Sequence, residues 1–254
     1  MRHARRLTFI CATVMTAAVA FHGDAGISRG PYLQDGGSNT MTVMWLSDGI
    51  STGYLAYGLA GRYRNVVTSA PARLCRVRLE GLAPGGEYGY RLTSGGETSV
   101  SEFAAFPARA GSVRIGVIGD LQLRHAHQRE RARVLGEWLA AQRPHLVLMV
   151  GDAVHDSEPL THRYWDEIFS IFRTLLARAP WYMCTGNHDT RSGLCPGFLA
   201  HFAFGANSPP GMTNRVYSVD CGPVHVTVGS VHYDGGLPHL AGSVQHAWLS
   251  NDVA

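Results

Sequence analysis

The sequence predicts two folded units in succession, a β-sandwich and then an α/β domain. Its 254 residues are 45% apolar and 16% charged, a composition typical of a globular chain with room for two cores. Up to about residue 108, short alternating apolar runs are separated by Gly-rich turns. Beyond residue 111, apolar strands alternate with helical stretches. These observations predict a sandwich over residues 25–108 and an α/β sandwich domain over residues 111–254.

The first twenty residues have the pattern of a secretory signal peptide. Three arginines, at positions 2, 5 and 6, precede an apolar run over residues 7–20 that ends in Ala-Val-Ala. The alternative is a membrane anchor, but a spanning helix needs roughly 20 apolar residues and this run is shorter. We therefore expect a secreted or periplasmic protein that begins near Phe21 and has no membrane contact after cleavage.

Cleavage of this segment would also remove the net positive charge of the chain. The segment contains three arginines and no acidic residue, so the formal charge falls from +3 to zero. A neutral chain gives no indication of a nucleic-acid partner. Four cysteines remain, and their pairing stays open among three connectivities: Cys75, Cys184, Cys195 and Cys221.

Short alternating runs, such as residues 40–45 and 74–79, predict the strands of the sandwich. The stretch 79–91, LEGLAPGGEYGYR, resembles the corner of fibronectin type III domains in which a tyrosine anchors the turn. Trp45 stands in an early strand, where such domains carry a core aromatic residue. The resemblance implies a fibronectin III-like sandwich, in preference to another sandwich with a Gly-Pro turn.

Two strand-helix-strand units predict a parallel sheet in the second domain. Residues 113–118 and 146–150 have the pattern of strands. The helical stretch between them carries apolar residues at helical spacing: Val134, Leu135, Trp138 and Leu139. A second predicted helix, over about residues 164–177, presents one apolar face before a strand at 181–184: Trp165, Ile168, Phe169, Phe172 and Leu176.

Polar clusters follow all three predicted strands. They read Gly119-Asp120-Leu121-Gln122, Gly151-Asp152-Ala153-Val154-His155 and Gly186-Asn187-His188-Asp189. A single Gly-Asp after a strand is usually a turn. In open α/β sheets, however, ligands bind outside the carboxyl ends of the strands, so the three clusters are expected to converge on one crevice. Their carboxylate, amide and imidazole groups suit Zn, Mn or Fe.

These three blocks, in this order, resemble the signature of metallophosphoesterases. The flanking sequences 29–34, 164–166, 216–225 and 245–249 are similar to those of purple acid phosphatases. The resemblance implies a calcineurin-like hydrolase of small phosphate esters, an acid phosphatase or phosphodiesterase. It also implies a dinuclear site for two divalent or trivalent ions, Fe, Zn or Mn.

The resemblance assigns a role to individual residues. Asp120 is expected to hold the first metal and Asn187 the second, with Asp152 as the bridging ligand. His188 is expected to act beside the phosphoryl group as a catalytic residue. The alternative is that His188 only orients Asp189 or a neighbouring carbonyl group.

The sequence departs from the family pattern at two of these positions. His155 stands where purple acid phosphatases carry a tyrosine ligand, and it is either a substitute metal ligand or a hydrogen-bond partner of Asp156. Gln122 is interpreted as a contact to a ligand side chain or to substrate. His232 is either a phosphate contact or a surface histidine.

The family's later histidine blocks, including Gly-His-x-His, do not occur in this sequence. We therefore expect the metallophosphoesterase domain to be incomplete at its C-terminus, with the chain ending in a helix whose N-cap is Ser243. The alternative function is a catalytically inactive fragment, or a binding module that uses the sandwich for recognition.

Overall fold

The computed structural model describes residues 25–155, 162–190, 199, 201–204, 207–231 and 240–254. The expected signal peptide lies outside these residues, and so do Asp156, Cys195 and His232. Within the described ranges, no helix is both long and apolar enough to cross a membrane. Three cysteines are described, and all are free thiols: Cys75, Cys184 and Cys221.

Seven strands form the N-terminal unit: β1 (Ile27–Gln34), β2 (Met41–Ser51), β3 (Gly53–Leu59), β4 (Asn65–Thr68), β5 (Ala72–Leu79), β6 (Glu87–Ser94) and β7 (Glu97–Ala104). They form two antiparallel sheets in the orders β1-β2-β5 and β4-β3-β6-β7. Alternate residues of both sheets meet in one core around Trp45, Leu55 and Leu92, which are fully buried. The predicted β-sandwich is confirmed.

The two tyrosines of the predicted corner have different roles. The backbone N–H of Ala83 donates a hydrogen bond to the Tyr88 hydroxyl over 2.8 Å, so Tyr88 anchors the turn. The Tyr90 hydroxyl instead donates to the carbonyl oxygen of Ala177, in the second domain, also over 2.8 Å. One tyrosine therefore closes the sandwich, and the other joins it to the next domain.

The second domain contains nine described elements: β8 (Ile115–Ile118), α1 (Ala126–Ala141), β9 (Leu146–Val150), α2 (His162–Ile171), α3 (Arg173–Leu176), β10 (Trp181–Cys184), β11 (Tyr217–Cys221), β12 (Val224–Val228) and α4 (Val244–Asp252). The order β10-β9-β8 forms a parallel sheet, and β11 and β12 form an antiparallel pair. The predicted parallel sheet is confirmed.

The helices differ from the sequence prediction in two respects. The helix expected over residues 164–177 is interrupted at Phe172, which separates α2 from α3. The expected apolar face of α1 is wrong in part, because Val134 and Trp138 are 53% and 58% exposed. Helix α1 packs instead through small residues: a Cβ added at Gly136 would lie 2.9 Å from the Phe172 ring. The buried stripe is therefore centred on Gly136 and not on Trp138.

A buried arginine from the sandwich holds the two domains together. The Arg29 guanidinium donates to Nδ1 of His201 over 2.6 Å and forms an ion pair with Asp166. It also lies 4.6 Å above the centre of the Phe169 ring, in cation-π geometry. Because a guanidinium can only donate, Nδ1 of His201 is the accepting nitrogen. The first residue of the 29–34 motif thus makes an interdomain contact.

Further buried polar contacts extend this interface. The Gln34 side chain donates to the Trp181 carbonyl oxygen over 3.3 Å and accepts from the Ala203 N–H over 3.2 Å. The Tyr182 hydroxyl accepts from the Gly36 N–H over 2.8 Å. Trp181 and Tyr182 lie at the start of β10, so the sandwich fixes the end of this strand that is opposite to its carboxyl end.

Helix α4 is held to the β11–β12 pair by a half-buried aspartate, Asp252. Its predicted N-cap is confirmed, because the Ser243 side chain accepts from the His246 N–H. At its other end Asp252 accepts from the hydroxyls of Ser218 and Thr227, over 2.7 and 2.9 Å. The helix therefore depends on polar contacts at both ends.

His225 lies between two carboxylates at the contact between α4 and the β11–β12 pair. Its Nδ1 lies 2.6 Å from Asp220 and its Nε2 lies 3.0 Å from Asp252. The hydrogen bonds to Asp220 and then Asp252 raise the pKa of His225. Burial alone would raise the pKa of Asp252, but its hydrogen bonds from Ser218, His225 and Thr227 together lower it. The charged forms of both groups are thus favoured by the fold.

Candidate functional site

The loops that follow β8, β9 and β10 meet at the carboxyl end of the parallel sheet. The Asp120 N–H donates to the Gly151 carbonyl oxygen over 3.2 Å, and the Gln122 N–H donates to that of Asp152 over 3.3 Å. The His188 N–H donates to Oδ1 of Asp152 over 3.0 Å. The structure therefore brings the three predicted clusters together in one place.

Asp152 lies at the centre of this arrangement. Its second oxygen, Oδ2, accepts from the Gln122 side-chain amide over 2.8 Å. The third loop approaches so closely that a Cβ added at Gly186 would lie 2.0 Å from Oδ1 of Asp152. Only glycine fits there, which is the physical reason for the glycine before Asn187.

Three non-glycine residues of these loops adopt left-handed backbone conformations. The φ angles are +51° at Asp120, +36° at Gln122 and +51° at Asp152. For a residue with a side chain this conformation is uncommon, although Asp tolerates it better than most. Such positions cluster at functional sites because the surrounding hydrogen bonds have to hold them.

Asp189 is a buried carboxylate that sequence reasoning did not identify as a structural element of the site. It is 0% exposed and accepts from the backbone N–H groups of Asp152 over 2.7 Å, Gly186 over 2.9 Å and Val154 over 3.4 Å. Burial raises the pKa of Asp189 to about 6. Its acceptor atoms tie the loops after β9 and β10 to each other. The available signal was an acidic residue directly after Gly-Asn-His.

The two predicted site histidines are neighbours. Nδ1 of His188 donates to the carbonyl oxygen of His155 over 2.6 Å, and the two ring centres lie 5.1 Å apart. Because a carbonyl group can only accept, this contact places a proton on Nδ1, so Nε2 is the unprotonated nitrogen of the neutral ring. The contact of His188 is thus to a carbonyl group and not to Asp189. The alternative partner of His155, Asp156, lies outside the described residues.

The side chains at the site are of types that bind metal ions, but the described residues bring too few of them together. Asp120 and Asn187 are exposed at the loops, and Asp152 and His155 are half-buried beside them. Across the described ranges, however, no three His, Cys, Asp or Glu side chains are grouped so that they could hold a metal ion. Each oxygen of Asp152 accepts one hydrogen bond from the protein, which orients the carboxylate and leaves a further lone pair on each oxygen. The described residues therefore do not form a complete metal centre.

Comparison with known proteins bears on the same region. Residues 113–250, which contain all three loops, match the profile of the calcineurin-like phosphoesterases. The chain belongs to this family. It is 28% identical to acid phosphatase type 7 of Mus musculus over 246 residues, covering 86% of this chain and 52% of the mouse protein. It is 30% identical to acid phosphatase type 7 of Homo sapiens over 190 residues, covering 70% of this chain and 40% of the human protein.

Solved structures share the fold. A purple acid phosphatase, PPD1 from seeds of Lupinus luteus, superposes with a TM-score of 0.70 at 19% identity. The match covers 91% of this calcineurin-like chain and 48% of the lupin chain. PhoD superposes with a TM-score of 0.70 at 15% identity, covering 91% and 60% of the two chains. The fold is that of the purple acid phosphatases, and the chain spans about half the length of the curated relatives it matches.

Proposed function

We propose that this chain contributes the site of a phosphoester hydrolase that acts on small phosphate esters, as an acid phosphatase or phosphodiesterase. The observation that carries the proposal is the convergence of the Asp120, Asp152 and His188 loops at one sheet edge in a calcineurin-like phosphoesterase chain. An expected signal peptide over residues 1–20 supports a secreted or periplasmic location.

The proposed metal ligands are Asp120, Asp152, His155 and Asn187, with Asp152 between two ions of Fe, Zn or Mn. Bound ions of this kind activate water and neutralise phosphoryl oxygens. The described donors do not complete such a centre, so occupancy by two ions depends on ligands beyond them. His232, outside the described residues, stays a prediction as a phosphate contact.

His188 is the residue proposed to handle protons. Its Nδ1–H is fixed on the His155 carbonyl oxygen, so Nε2 is the nitrogen able to take up or release a proton. Protonated at Nε2, the ring would donate to the leaving oxygen of the ester and supply its proton. Gln122 and the His188 N–H would hold the Asp152 carboxylate in one orientation.

Metal binding and turnover test the two assignments separately. In Zn or Mn titrations, Asp152→Asn is expected to lower metal affinity by at least tenfold, because it removes the charge while keeping a residue that tolerates the left-handed backbone. His188→Ala is expected to retain metal affinity and to lower hydrolysis of an aryl phosphate by about a hundredfold. Asp220→Asn, at an exposed acid on β11, is the control. Unchanged metal affinity in Asp152→Asn would show that the bridging assignment is wrong.

A catalytically inactive family member is the second candidate. It is favoured by the shortage of grouped donors in the described ranges. The two candidates differ in metal stoichiometry: about two ions per chain support the hydrolase, and none supports the inactive form.

A further inference from the structure

The sandwich carries a cleft of its own, with a volume of about 440 Å³. All of its lining residues belong to the N-terminal domain, and none belongs to the three loops of the phosphoesterase site. The lining combines arginine, tyrosine and asparagine side chains: Tyr57, Arg62, Arg64, Asn65 and Tyr88, with Glu80 at one side. A concave site with a few convergent polar groups is the usual form of a ligand pocket.

The loop that supplies the two arginines is fixed directly on the sheet. Paired positions Gly58 and Gly89 leave space for it: a Cβ at Gly58 would lie 1.6 Å from the Arg62 carbonyl oxygen, and one at Gly89 would lie 2.8 Å from Cα of Gly61. The Arg62 N–H donates to the Leu59 carbonyl oxygen over 3.0 Å. The arginines therefore extend from a backbone that is already ordered, which lowers the entropic cost of binding.

The charge of this cleft is not neutralised by the protein. Arg62 and Arg64 are exposed, and neither forms an ion pair with any residue in the described part of the chain. Glu80 also lines the cleft, but its carboxylate lies 3.5 Å from Nε of Arg78. The two guanidinium groups are thus available to an anion, and guanidinium forks match carboxylate and other oxyanions in geometry.

Tyr57 gives the cleft a polar group in a nearly buried position. The residue is 8% exposed, and its ring is part of the sandwich core. The residue lines the cleft, and no hydrogen bond joins its hydroxyl to another described residue. The ring is therefore held in the core, while the hydroxyl is available to a ligand group in the cleft. The Asn65 amide, also on the cleft wall, adds a second group able to bind hydroxyls.

We propose that this cleft binds an acidic sugar, a saccharide unit that carries a carboxylate or a sulfate group. The guanidinium groups of Arg62 and Arg64 would bind the acidic group, and Tyr57 and Asn65 would bind hydroxyl groups of the ring. The volume is larger than a bare oxyanion needs and falls within the range for small-molecule sites. This site does not depend on the proposed phosphoesterase function.

Calorimetric titration of the full chain, with a chelator present so that metal-dependent binding is absent, tests the proposal. The probes are D-glucuronate, D-glucose and inorganic sulfate. We expect glucuronate to bind at least about tenfold more tightly than glucose, because a charge-assisted contact distinguishes them. An affinity for sulfate equal to that for glucuronate would overturn the sugar assignment, and no binding of glucuronate would overturn the proposal.

Matched variants locate the binding. The double variant Arg62→Gln/Arg64→Gln is expected to lower glucuronate affinity by at least about tenfold, and Tyr57→Phe by about fivefold with unchanged melting temperature, since the ring stays in place. The control double variant, Arg109→Gln/Arg131→Gln, removes two exposed arginines elsewhere and should bind like the parent chain. An equal loss in the control would show that the affinity reflects overall charge and would refute the site.

Discussion

Replacing Arg29 by methionine should weaken the contact between the two domains. The substitution keeps an unbranched apolar side chain in the buried position but removes the guanidinium. It breaks the hydrogen bond to His201, the ion pair with Asp166 and the cation-π contact with Phe169. Asp166 is 58% exposed, so water replaces the guanidinium as its partner and little stability is lost there. The cost falls mainly on His201, which is buried.

The expected magnitude follows from these three contacts. The hydrogen bond from a charged donor to a buried group contributes about 1.5–3 kcal/mol, and the cation-π contact contributes about 0.5–2 kcal/mol. The half-exposed ion pair with Asp166 contributes about 0–1 kcal/mol. Methionine regains about 1 kcal/mol through burial of its own methylene groups. The net loss should be about 3 kcal/mol, which lowers the melting temperature by about 6–12 °C in a chain of this size.

Urea and thermal denaturation of the full chain measure this loss. Because Arg29 lies between the domains, the variant should also show a broader transition as the two domains begin to unfold separately. Arg91→Met is the matched control: Arg91 stacks on Tyr63 at 5.1 Å in a solvent-exposed position, so its loss should cost about 0.5 kcal/mol. A loss below about 1 kcal/mol for Arg29→Met, or one equal to that of Arg91→Met, would refute the reasoning.

Three further substitutions test contacts elsewhere. Asp189→Asn leaves one acceptor oxygen for three backbone N–H groups and should cost about 2 kcal/mol in urea denaturation, whereas Asp220→Asn, 80% exposed, should cost under about 0.5 kcal/mol. The raised pKa of His225 means that its stabilisation of α4 is complete below a pH of about 6.5 and is lost as pH rises through that pKa. The lowered pKa of Asp252 means that its stabilisation is lost as pH falls below about 4. The protection factors of the α4 amides, which compare observed with intrinsic exchange at each pH, should therefore be highest between these values. His225→Gln should abolish the loss of protection on the high-pH side, worth about 0.5–1 kcal/mol. Tyr88→Phe removes the hydrogen bond to the Ala83 N–H, and because Ala83 lies in an exposed turn the loss should be about 0.5–1 kcal/mol, a result that unchanged stability would contradict.

The order of elements could be predicted from hydrophobic periodicity, but their detailed contacts could not. Tyr88 and Tyr90 are two residues apart and point to the same face of β6, so alternation cannot tell which one anchors the turn. The packed face of α1 was also beyond prediction. It is built on Gly136, which has no side chain to add to the apolar pattern. The pattern therefore placed Trp138 on the packed face, although Trp138 is exposed.

The meeting of the three loops could be predicted because the carboxyl ends of parallel strands share one sheet edge. The role of Asp189 could not, since its partner Asp152 is 37 residues away in the chain and only the fold brings them together. The metal-ligand assignments for Asp120, Asp152, His155 and Asn187 and the catalytic assignment for His188 stay predictions, as do the domain boundaries. Hydrophobic periodicity does not show whether a side chain binds a metal ion or which atom carries a proton.

The left-handed backbone at Asp120 and Asp152 restricts which residues can replace them during evolution. A conformation with φ of +51° costs about 1 kcal/mol or more for most side chains, and least for Asn, Asp and Gly. Glutamate, which preserves the charge, is disfavoured there, whereas asparagine and glycine, which abolish it, are accepted. A lineage that loses phosphoesterase activity would therefore drift first to Asn or Gly at these two positions, with the fold intact. Such residues at the ends of β8 and β9 would mark relatives that have kept the architecture and abandoned the chemistry.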